Sequence, residues 1–300
     1  MRVLGSSRFA GLILGTAVFS GIASAGTIFV GDVDVMYKLS ASGIPSVFSS
    51  AADSTTIGMA FNSVGTLYAA ERDVNAIYAY TPAGAQSSFA SVSSPYGLAV
   101  DSSGDVYTGA VGGSEIVKYT PAAAGSVFAT AASSVEALTF DASGDLFESD
   151  NNGKIFEYAP DGTRTTFASG LNGTEFGLAF DASGNLYATD WTGEINKFTP
   201  GGARSIFATF SSQMLPSGLV YDNGSGNLYM TEVANGTSQP GQQVVYAFSP
   251  SGAQSVFATG LYSPFGIADL QPNLSATPEP GTAGLLSAGA ALLLLSRRRG

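Results

Sequence analysis

Acidic residues recur along this sequence at intervals of about 40 residues, and their carboxylates are the groups best suited to chemistry. The recurring positions hold Asp32, Glu71, Asp150, Asp190 and Glu232, with Ala110 as the exception. Carboxylates that meet around one opening could hold Ca²⁺, a hard cation that takes about six to eight oxygen ligands. The alternative is structural, because a short acidic side chain at a strand end commonly caps the next turn by accepting backbone N–H groups. The pattern favours the capping role and keeps the calcium site as the alternative.

A further carboxylate, Glu136, stands where the other copies of the same pattern have no acid. It precedes Ala137, whereas the equivalent residues elsewhere precede a glycine; these are Ile57, Tyr96, Phe176, Ser217 and Phe265. We expect Glu136 to face the mouth of a central opening. Glu136, Asp150 and Asp190 are therefore the candidate metal ligands. No catalytic residue and no cofactor are predicted, with Ca²⁺ as the one alternative.

Two residue types are missing, and their absence excludes several kinds of active site. The sequence contains no cysteine and no histidine. Disulfides, thiolate nucleophiles, zinc sites built on Cys or His, and Ser-His triads are therefore excluded. Between residues 26 and 272 there are 7 basic and 22 acidic residues, a net charge of −15 that would repel a phosphate backbone. Nucleic acid is not expected as a partner.

The acids are positioned by a repeated unit, which is clearest from Phe176 to Thr209, FGLAFDASGNLYATDWTGEINKFTPGGARSIFAT. Apolar and polar residues alternate in four short runs separated by Gly, Pro, Asp and Ser, which is typical of β-strands. No copy contains the amphipathic run of about ten or more residues that a helical repeat would need. Four antiparallel strands in about 40 residues predict one blade of a β-propeller.

The unit occurs in five whole copies and one divided copy. The whole copies run from Ile57 to Ser91, Tyr96 to Thr130, Glu136 to Ser169, Phe176 to Thr209 and Ser217 to Thr259. Gly26 to Ser50 matches only the last three strands of a unit, and Phe265 to Leu270 matches only the first. We therefore predict an all-β, six-bladed β-propeller over residues 26–271, whose last blade is shared by the two ends of the chain and leaves few strand edges exposed. The extra polar residues 233–243 of the last copy are expected to form a surface loop, and a scaffolding role for this loop is a further alternative.

Two other sets of recurring residues have predicted structural roles. Acids that precede Ser-Gly turns at the opposite face are predicted to be turn residues; these are Asp101, Asp141, Asp181 and Asp222. Aromatic residues on the second and fourth strands are predicted to form the core between blades; these are Tyr68, Tyr107, Phe147, Tyr187 and Tyr229, and Phe89, Phe128, Phe167, Phe207 and Phe257.

The blade pattern resembles that of the NHL-repeat and gluconolactonase-like (senescence-marker) propellers, whose blades typically read G-[IL]-A-[VF]-D-x-x-G-[ND]-[LV]-Y-x-[AT]-D. The resemblance covers residues 26–270 and implies a six-bladed fold, in a superfamily that includes lactonases, lyases and binding platforms. Gluconolactonase-like enzymes hold a divalent ion near the position of Glu136 with acid and amide side chains from several first strands. This sequence has no Asn or Asp at the other openings. An activity like that of virginiamycin lyase would need a histidine, which the sequence lacks.

Residues 1–25 are typical of a secretory signal peptide. Arg2 and Arg8 supply the positive charge, Phe9 to Ile22 is apolar, and the cleavage site has the small residues Ala23 and Ala25 on either side of a serine. The mature chain is therefore expected to begin at Gly26. An uncleaved membrane anchor is the alternative, although an apolar run of about 14 residues is short for a span.

Residues 272–300 form a tail with three parts. A linker, 272–280, ends in Pro278, Glu279 and Pro280; residues 281–300 contain an apolar segment and the cluster Arg297, Arg298 and Arg299. This order resembles the PEP-CTERM sorting signal of Gram-negative, exopolysaccharide-producing bacteria, in which an exosortase recognises Pro-Glu-Pro and processes the tail after export. Sixteen residues from Gly281 to Ser296 would make a transmembrane helix of about 24 Å against roughly 30 Å of hydrocarbon, with the arginines held in the cytoplasm. An ordinary helix packed on the propeller is the alternative.

The sequence favours an exported, surface-sorted propeller that binds exopolysaccharide or a surface protein without catalysis. It would be anchored transiently in the inner membrane before it reaches the cell surface or the extracellular matrix. The alternative is a Ca²⁺-dependent, lactonase-like hydrolase that uses Glu136 with Asp150 or Asp190.

Overall fold

A computed structural model of the protein describes residues 26–50, 54–110, 113–131, 133–172, 177–210, 215–233 and 243–271. The predicted signal peptide with Ala23 and Ala25, the Pro-Glu-Pro motif, the arginine cluster and most of the 233–243 loop lie outside these residues. Among the described residues, none belongs to a helix of sufficient length and apolarity to cross a membrane.

The described residues form 24 short strands. The first twelve are β1 (Thr27–Gly31), β2 (Met36–Leu39), β3 (Pro45–Ser49), β4 (Thr56–Phe61), β5 (Leu67–Glu71), β6 (Ala76–Tyr80), β7 (Gln86–Ser91), β8 (Pro95–Val100), β9 (Val106–Ala110), β10 (Glu115–Tyr119), β11 (Gly125–Thr130) and β12 (Val135–Phe140). The others are β13 (Leu146–Asp150), β14 (Lys154–Tyr158), β15 (Arg164–Ser169), β16 (Leu178–Phe180), β17 (Leu186–Thr189), β18 (Glu194–Phe198), β19 (Arg204–Thr209), β20 (Leu215–Asp222), β21 (Asn227–Val233), β22 (Gln243–Phe248), β23 (Gln254–Leu261) and β24 (Ile267–Leu270).

These strands pair into six antiparallel sheets of four strands each, which confirms the predicted six-bladed β-propeller. Blade 1 contains β24, β1, β2 and β3, and the other blades follow the chain: blade 2 (β4–β7), blade 3 (β8–β11), blade 4 (β12–β15), blade 5 (β16–β19) and blade 6 (β20–β23). Each blade is a meander, so its first strand, nearest the axis, and its third strand run in one direction and the second and fourth run in the other. We call the face where the first strands begin the upper face, and the face where they end the lower face.

The shared blade is also confirmed. Strand β24 pairs antiparallel with β1, with Thr27 opposite Leu270 and Val30 opposite Ile267. On the side towards blade 6, Ile28 and Val30 pack into a buried cluster with Val245 and Leu261. The two ends of the chain thus complete one sheet and close the ring, and β1, the second strand of blade 1, is paired along both of its edges.

The core lies between neighbouring blades. Six buried apolar clusters each combine residues of two adjacent blades. An aromatic residue of each second strand contacts the phenylalanine of the fourth strand in the same blade, for example Tyr107 with Phe128 at 5.1 Å between ring centroids. In four blades the same ring also contacts the aromatic at the end of the next blade's first strand, as Tyr107 does with Phe140 at 5.0 Å. The predicted core between blades is therefore confirmed, and these ring contacts, most of them edge-to-face, help to fix the spacing of the blades.

The turns at the lower face use the recurring acids as predicted. Asp101 accepts hydrogen bonds from the backbone N–H groups of Ser103 and Asp105, both at 2.9 Å, and Gly104 between them has φ of 85°. Asp141, Asp181 and Asp222 accept equivalent hydrogen bonds. A positive φ at the turn is why glycine follows the serine in these copies.

Candidate functional site: the two mouths of the channel

A ring of six aliphatic side chains divides the central channel into two cavities. Each blade supplies the residue after its opening glycine, or after Ala137 in blade 4: Met59, Leu98, Leu138, Leu178, Leu219 and Ile267, all buried. These six side chains line both an upper cavity of about 60 Å³ and a lower cavity of about 410 Å³. These side chains lie between the two cavities, so the two mouths of the channel are separate candidate sites.

The opening glycines allow this tight ring. A Cβ atom placed on Gly58 would overlap the carbonyl oxygen of Tyr96 and lie 2.9 Å from the Leu98 nitrogen, both in the backbone of the next blade. A Cβ on Gly218 would lie 2.8 Å from the Phe265 carbonyl oxygen. Glycine is needed here because first strands of adjacent blades approach closely around the axis. The repeated glycine of the sequence pattern is thus a packing residue of the channel.

The upper mouth contains Glu136, as the sequence predicts. Glu136 is 8% exposed at the start of β12, and Ser217 and Tyr96 line the same cavity. Burial, and secondarily the neighbouring Asp150 carboxylate, raise the pKa of Glu136. Burial and the charge of Glu136 raise the pKa of Tyr96 to about 12. No described residue donates a hydrogen bond to Glu136, so its carboxylate can accept one from a ligand at the upper mouth.

Asp150 and Asp190 act as caps, in the structural role that the sequence favours. Asp150 accepts the N–H groups of Asn152 and Lys154 at 2.9 Å and the Ser133 hydroxyl at 3.0 Å. The equivalent Asp190 accepts the N–H groups of Thr192 and Glu194 at 3.0 Å. Both carboxylates are buried, and their oxygen atoms are used to fix the turn between the second and third strands.

The other recurring acids at the upper face are also engaged. Asp32 accepts the N–H groups of Tyr262 and Ser263 at 2.7 and 2.6 Å, which ties the segment that leads into β24 to blade 1. The Tyr80 hydroxyl donates to Glu71 at 2.6 Å. Within the described ranges, no group of three or more acidic residues is arranged to hold a metal ion.

The lower cavity holds a carboxylate that the sequence analysis did not single out. Its rim is formed by the ends of the six first strands, namely Phe61, Val100, Phe140, Phe180, Tyr221 and Asp269. Asp269 thus replaces an apolar residue at one of six equivalent positions. Burial and, secondarily, the charge of Asp222 raise the pKa of Asp269 to about 7. The signal was present in the sequence, because FGIADL has an acid where FGLAFD has phenylalanine.

Large side chains also project from the upper face outside the channel. Trp191, in the turn between β17 and β18, is 46% exposed, and Tyr262, after β23, is 54% exposed. Trp191 is the only tryptophan of the chain. Exposed aromatic rings on different blades are suited to contact an extended ligand, because they supply a large contact area at a low cost in conformational entropy.

Comparison with known proteins supports the fold. No protein-family model matches the sequence, and no curated protein matches it closely enough to be a relative. Among solved structures, the chain is similar to one in a nidogen/laminin complex, with a TM-score of 0.71, 19% identity, and coverage of 82% of this chain and 98% of that chain.

Two enzymes also share the fold. One is a gluconolactonase from Xanthomonas campestris, with a TM-score of 0.60 and 17% identity, covering 82% of this chain and 91% of that chain. The other is a catalytically inactive, histidine-to-alanine variant of virginiamycin B lyase from Staphylococcus aureus with quinupristin, with a TM-score of 0.58 and 14% identity, covering 80% of this chain and 86% of that chain. At these identities the likeness establishes a shared propeller fold and leaves function to the site.

Proposed function

We propose that the protein is an exported, non-catalytic propeller that binds an extended extracellular ligand, an exopolysaccharide or a surface protein, through its upper face. The observation that carries this proposal is the size of the upper mouth. Its cavity of about 60 Å³ is far smaller than the roughly 300–1,000 Å³ of typical small-molecule sites. A ligand at this face would therefore rest across the blades, where Trp191 and Tyr262 are exposed.

Export and surface sorting belong to the same proposal. The signal peptide and the PEP-CTERM-like tail support delivery to the cell surface or the extracellular matrix, with an exosortase as the processing partner. The nidogen/laminin structure offers a parallel for a propeller of this fold in a protein complex. The acidic net charge between residues 26 and 272 favours a neutral or basic ligand over an anionic one.

The single tryptophan supplies a direct test of the upper face. The chain without its predicted signal peptide, residues 26–300 in mild detergent, would be titrated with exopolysaccharide purified from the producing bacterium, and separately with the protein fraction of its matrix, while Trp191 fluorescence is followed. We expect one of the two to shift the emission. Trp191→Ala and Tyr262→Ala, measured by calorimetry, should each weaken binding about tenfold, a loss of about 1.4 kcal/mol.

Val64→Ala is the matched control, since Val64 is 76% exposed on a lower-face turn. It should leave the affinity unchanged. If neither fraction shifts the Trp191 emission, or if the control variant weakens binding as much as the two upper-face variants do, the upper face is not the binding surface.

A second candidate function is supported by Glu136. A buried carboxylate that accepts no hydrogen bond from the described residues, at the channel mouth of a fold shared with a gluconolactonase, favours a Ca²⁺-dependent lactonase-like hydrolase as the alternative. The lyase reaction is not proposed, because the inactive variant of that enzyme lacks a histidine and this chain has none.

Calcium distinguishes the two candidates. A cation that binds only the folded state raises the melting temperature by mass action. We expect millimolar Ca²⁺ to leave the melting temperature of the mature chain unchanged, and the chain to hydrolyse no aldonolactone. A rise that is lost in Glu136→Gln, together with lactone hydrolysis, would favour the hydrolase.

A further inference from the structure

Asp222 and Asp269 form a carboxylate pair where blade 6 meets blade 1, a junction that we call the seam of the ring. The partner of this pair is the backbone nitrogen of Gly26. The backbone nitrogen of Gly26 lies 3.0 Å from Asp222 Oδ1. Asp222 is buried at the end of β20 in blade 6, whereas Asp269 lies on β24 in blade 1. The first residue before β1 therefore reaches across the seam, 196 positions away in sequence, to the neighbouring blade.

Asp269 is packed against the same glycine. A Cβ atom placed on Gly26 would overlap the Asp269 carboxylate, so no larger residue fits at this position without rearrangement. Gln271 donates a side-chain hydrogen bond to Asp269 Oδ2. The other oxygen, Oδ1, is buried and has no hydrogen-bond partner in the part of the chain that the structure describes.

No basic side chain neutralises the pair. Among the described residues, no Lys or Arg forms an ion pair with Asp222 or Asp269, and Tyr221 is the titratable group next to them. Burying two carboxylates close together without a cation is unfavourable. The repeat makes the arrangement more unusual, because the other five blades have an apolar residue where blade 1 has Asp269.

We propose that Asp222 and Asp269 form a binding site for the α-ammonium group of Gly26, which signal-peptide cleavage creates at this position. The inference rests on the proposed export of the chain with cleavage after Ala25. Before cleavage the Gly26 nitrogen is an uncharged peptide N–H with one hydrogen to donate. Cleavage converts it into an ammonium with three, which can reach Asp222 Oδ1 and the unpartnered Asp269 Oδ1 together.

The contact would make the stability of the closed ring depend on processing. Gly26 immediately precedes β1, whose pairing with β24 completes blade 1, so the ammonium would tie both closing strands to blade 6. A cleavage one residue earlier would move the amine by about 3.8 Å and lose the site. With the ammonium bound, the pKa of Asp269 should fall below its value of about 7, since an adjacent positive charge favours the carboxylate.

The test compares two forms of the chain without its predicted signal peptide, residues 26–300 in mild detergent, one with a free and one with an enzymatically acetylated amino terminus. Acetylation removes the charge without changing any side chain. We expect the α-amine pKa, followed by NMR, to lie at least one unit above the usual value of about 8. Acetylation should lower the urea midpoint, and it should have a much smaller effect in Asp269→Asn.

Asp181→Asn is the matched control, because Asp181 caps the equivalent turn of blade 5 and its cationic neighbour is the Lys197 side chain, at 3.8 Å, rather than the amino terminus. In this variant, acetylation should lower the midpoint as much as in the unmutated chain. An α-amine pKa near 8 with equal midpoints for the free and acetylated chains overturns the proposal, and so does an exported protein that begins at any residue other than Gly26. Neither measurement uses a ligand, so each outcome is independent of the binding and hydrolase proposals.

Discussion

Glu148 is the most buried acid of blade 4 and lies inside the core rather than at either mouth. The Tyr158 hydroxyl donates to its Oε2, and Oε1 has no partner among the described residues. Burial, opposed in part by the hydrogen bond from Tyr158, raises the pKa of Glu148 from 4.5 to about 7. The folded protein thus binds this proton more tightly than the unfolded chain does, which makes stability depend on pH.

The direction in which stability changes with pH follows from this difference in the pKa of Glu148 between the folded and the unfolded chain. Below about pH 4.5 the carboxyl is protonated in both states, and its burial costs no ionisation energy. As the pH rises towards 7 the unfolded chain loses the proton first, so the free energy of unfolding falls, by ~3 kcal/mol in total. Glu148→Gln should remove this decline and make the protein more stable than the unmutated chain above pH 8. Urea unfolding measured from pH 4 to pH 9 checks this.

Glu115→Gln is a suitable control because Glu115 is exposed on β10. It should leave the pH profile of stability unchanged. A profile for Glu148→Gln that is parallel to that of the unmutated chain would show that Glu148 is not protonated near neutral pH.

Adding one methyl group at Gly58 tests how closely the first strands of adjacent blades pack. Gly58→Ala should lower the free energy of unfolding by about 1–3 kcal/mol, because the new methyl group meets the backbone of blade 3, which cannot move aside cheaply. Gly201→Ala is the control, since a Cβ there has no neighbour closer than 4.0 Å and φ is not positive. That variant should be neutral or slightly stabilising. Equal effects of the two substitutions in urea unfolding would argue against a steric role for Gly58.

At the scale of elements, the ring depends on β24 as its closing strand. Deleting residues 265–300 would leave the edge of β1 unpaired and expose the apolar face around Ile28 and Val30. We expect this deletion to cause cooperative loss of the folded state, whereas deletion of 272–300 should leave the melting temperature nearly unchanged. Circular dichroism during thermal unfolding distinguishes the two. Similar melting temperatures for both deletions would contradict the role of β24.

Most of the elements could be predicted from the sequence, and the reason is the repeat. The alternation of apolar residues and the Gly, Asp and Ser turns recur in each copy, so a wrong strand assignment in one blade is corrected by comparison with the others. The bounds of the predicted copies agree with the strands to within a few residues. The caps at Asp150 and Asp190 followed from the same pattern. Contacts that occur once in the molecule could not be predicted in this way. The Gly26–Asp222 contact joins distant segments, and the partner of Glu148 depends on a side-chain arrangement without periodicity.

At the scale of the whole molecule, the division of the central channel into two cavities bears most directly on the proposed function. The six aliphatic side chains of the ring separate the mouth that contains Glu136 from the cavity that contains Asp269. This separation is why binding at the upper face and closure of the seam at the lower face are independent proposals.

The proposed export and surface sorting of the protein predict how its C-terminal tail is processed. In a host that carries an exosortase, the mature protein should lose the chain from about Pro278 onward and appear at the cell surface or in the matrix. Replacing Pro278, Glu279 and Pro280 with alanine should leave a longer form in the membrane, because the processing enzyme no longer recognises it. Intact-mass measurement of membrane and surface fractions checks this.

The same replacement in a host without an exosortase is the control, and both versions should then keep the tail. If both versions also keep the tail in the exosortase host, the C-terminal segment is a permanent anchor rather than a sorting signal.

The shared blade has a last consequence, for the order of the blades along the chain. Since Thr27 pairs with Leu270, the two ends of the propeller lie side by side on the lower face. A short linker from Gln271 to Gly26 would turn the sequence into a circle, and the circle could be opened at an exposed turn of any other blade. Such a circular permutant should keep all six sheets, because the packing between blades has no first or last member. What it would lose is the proposed free amine of Gly26, so under that proposal the position at which this ring begins is set by how the chain is processed rather than by how it packs.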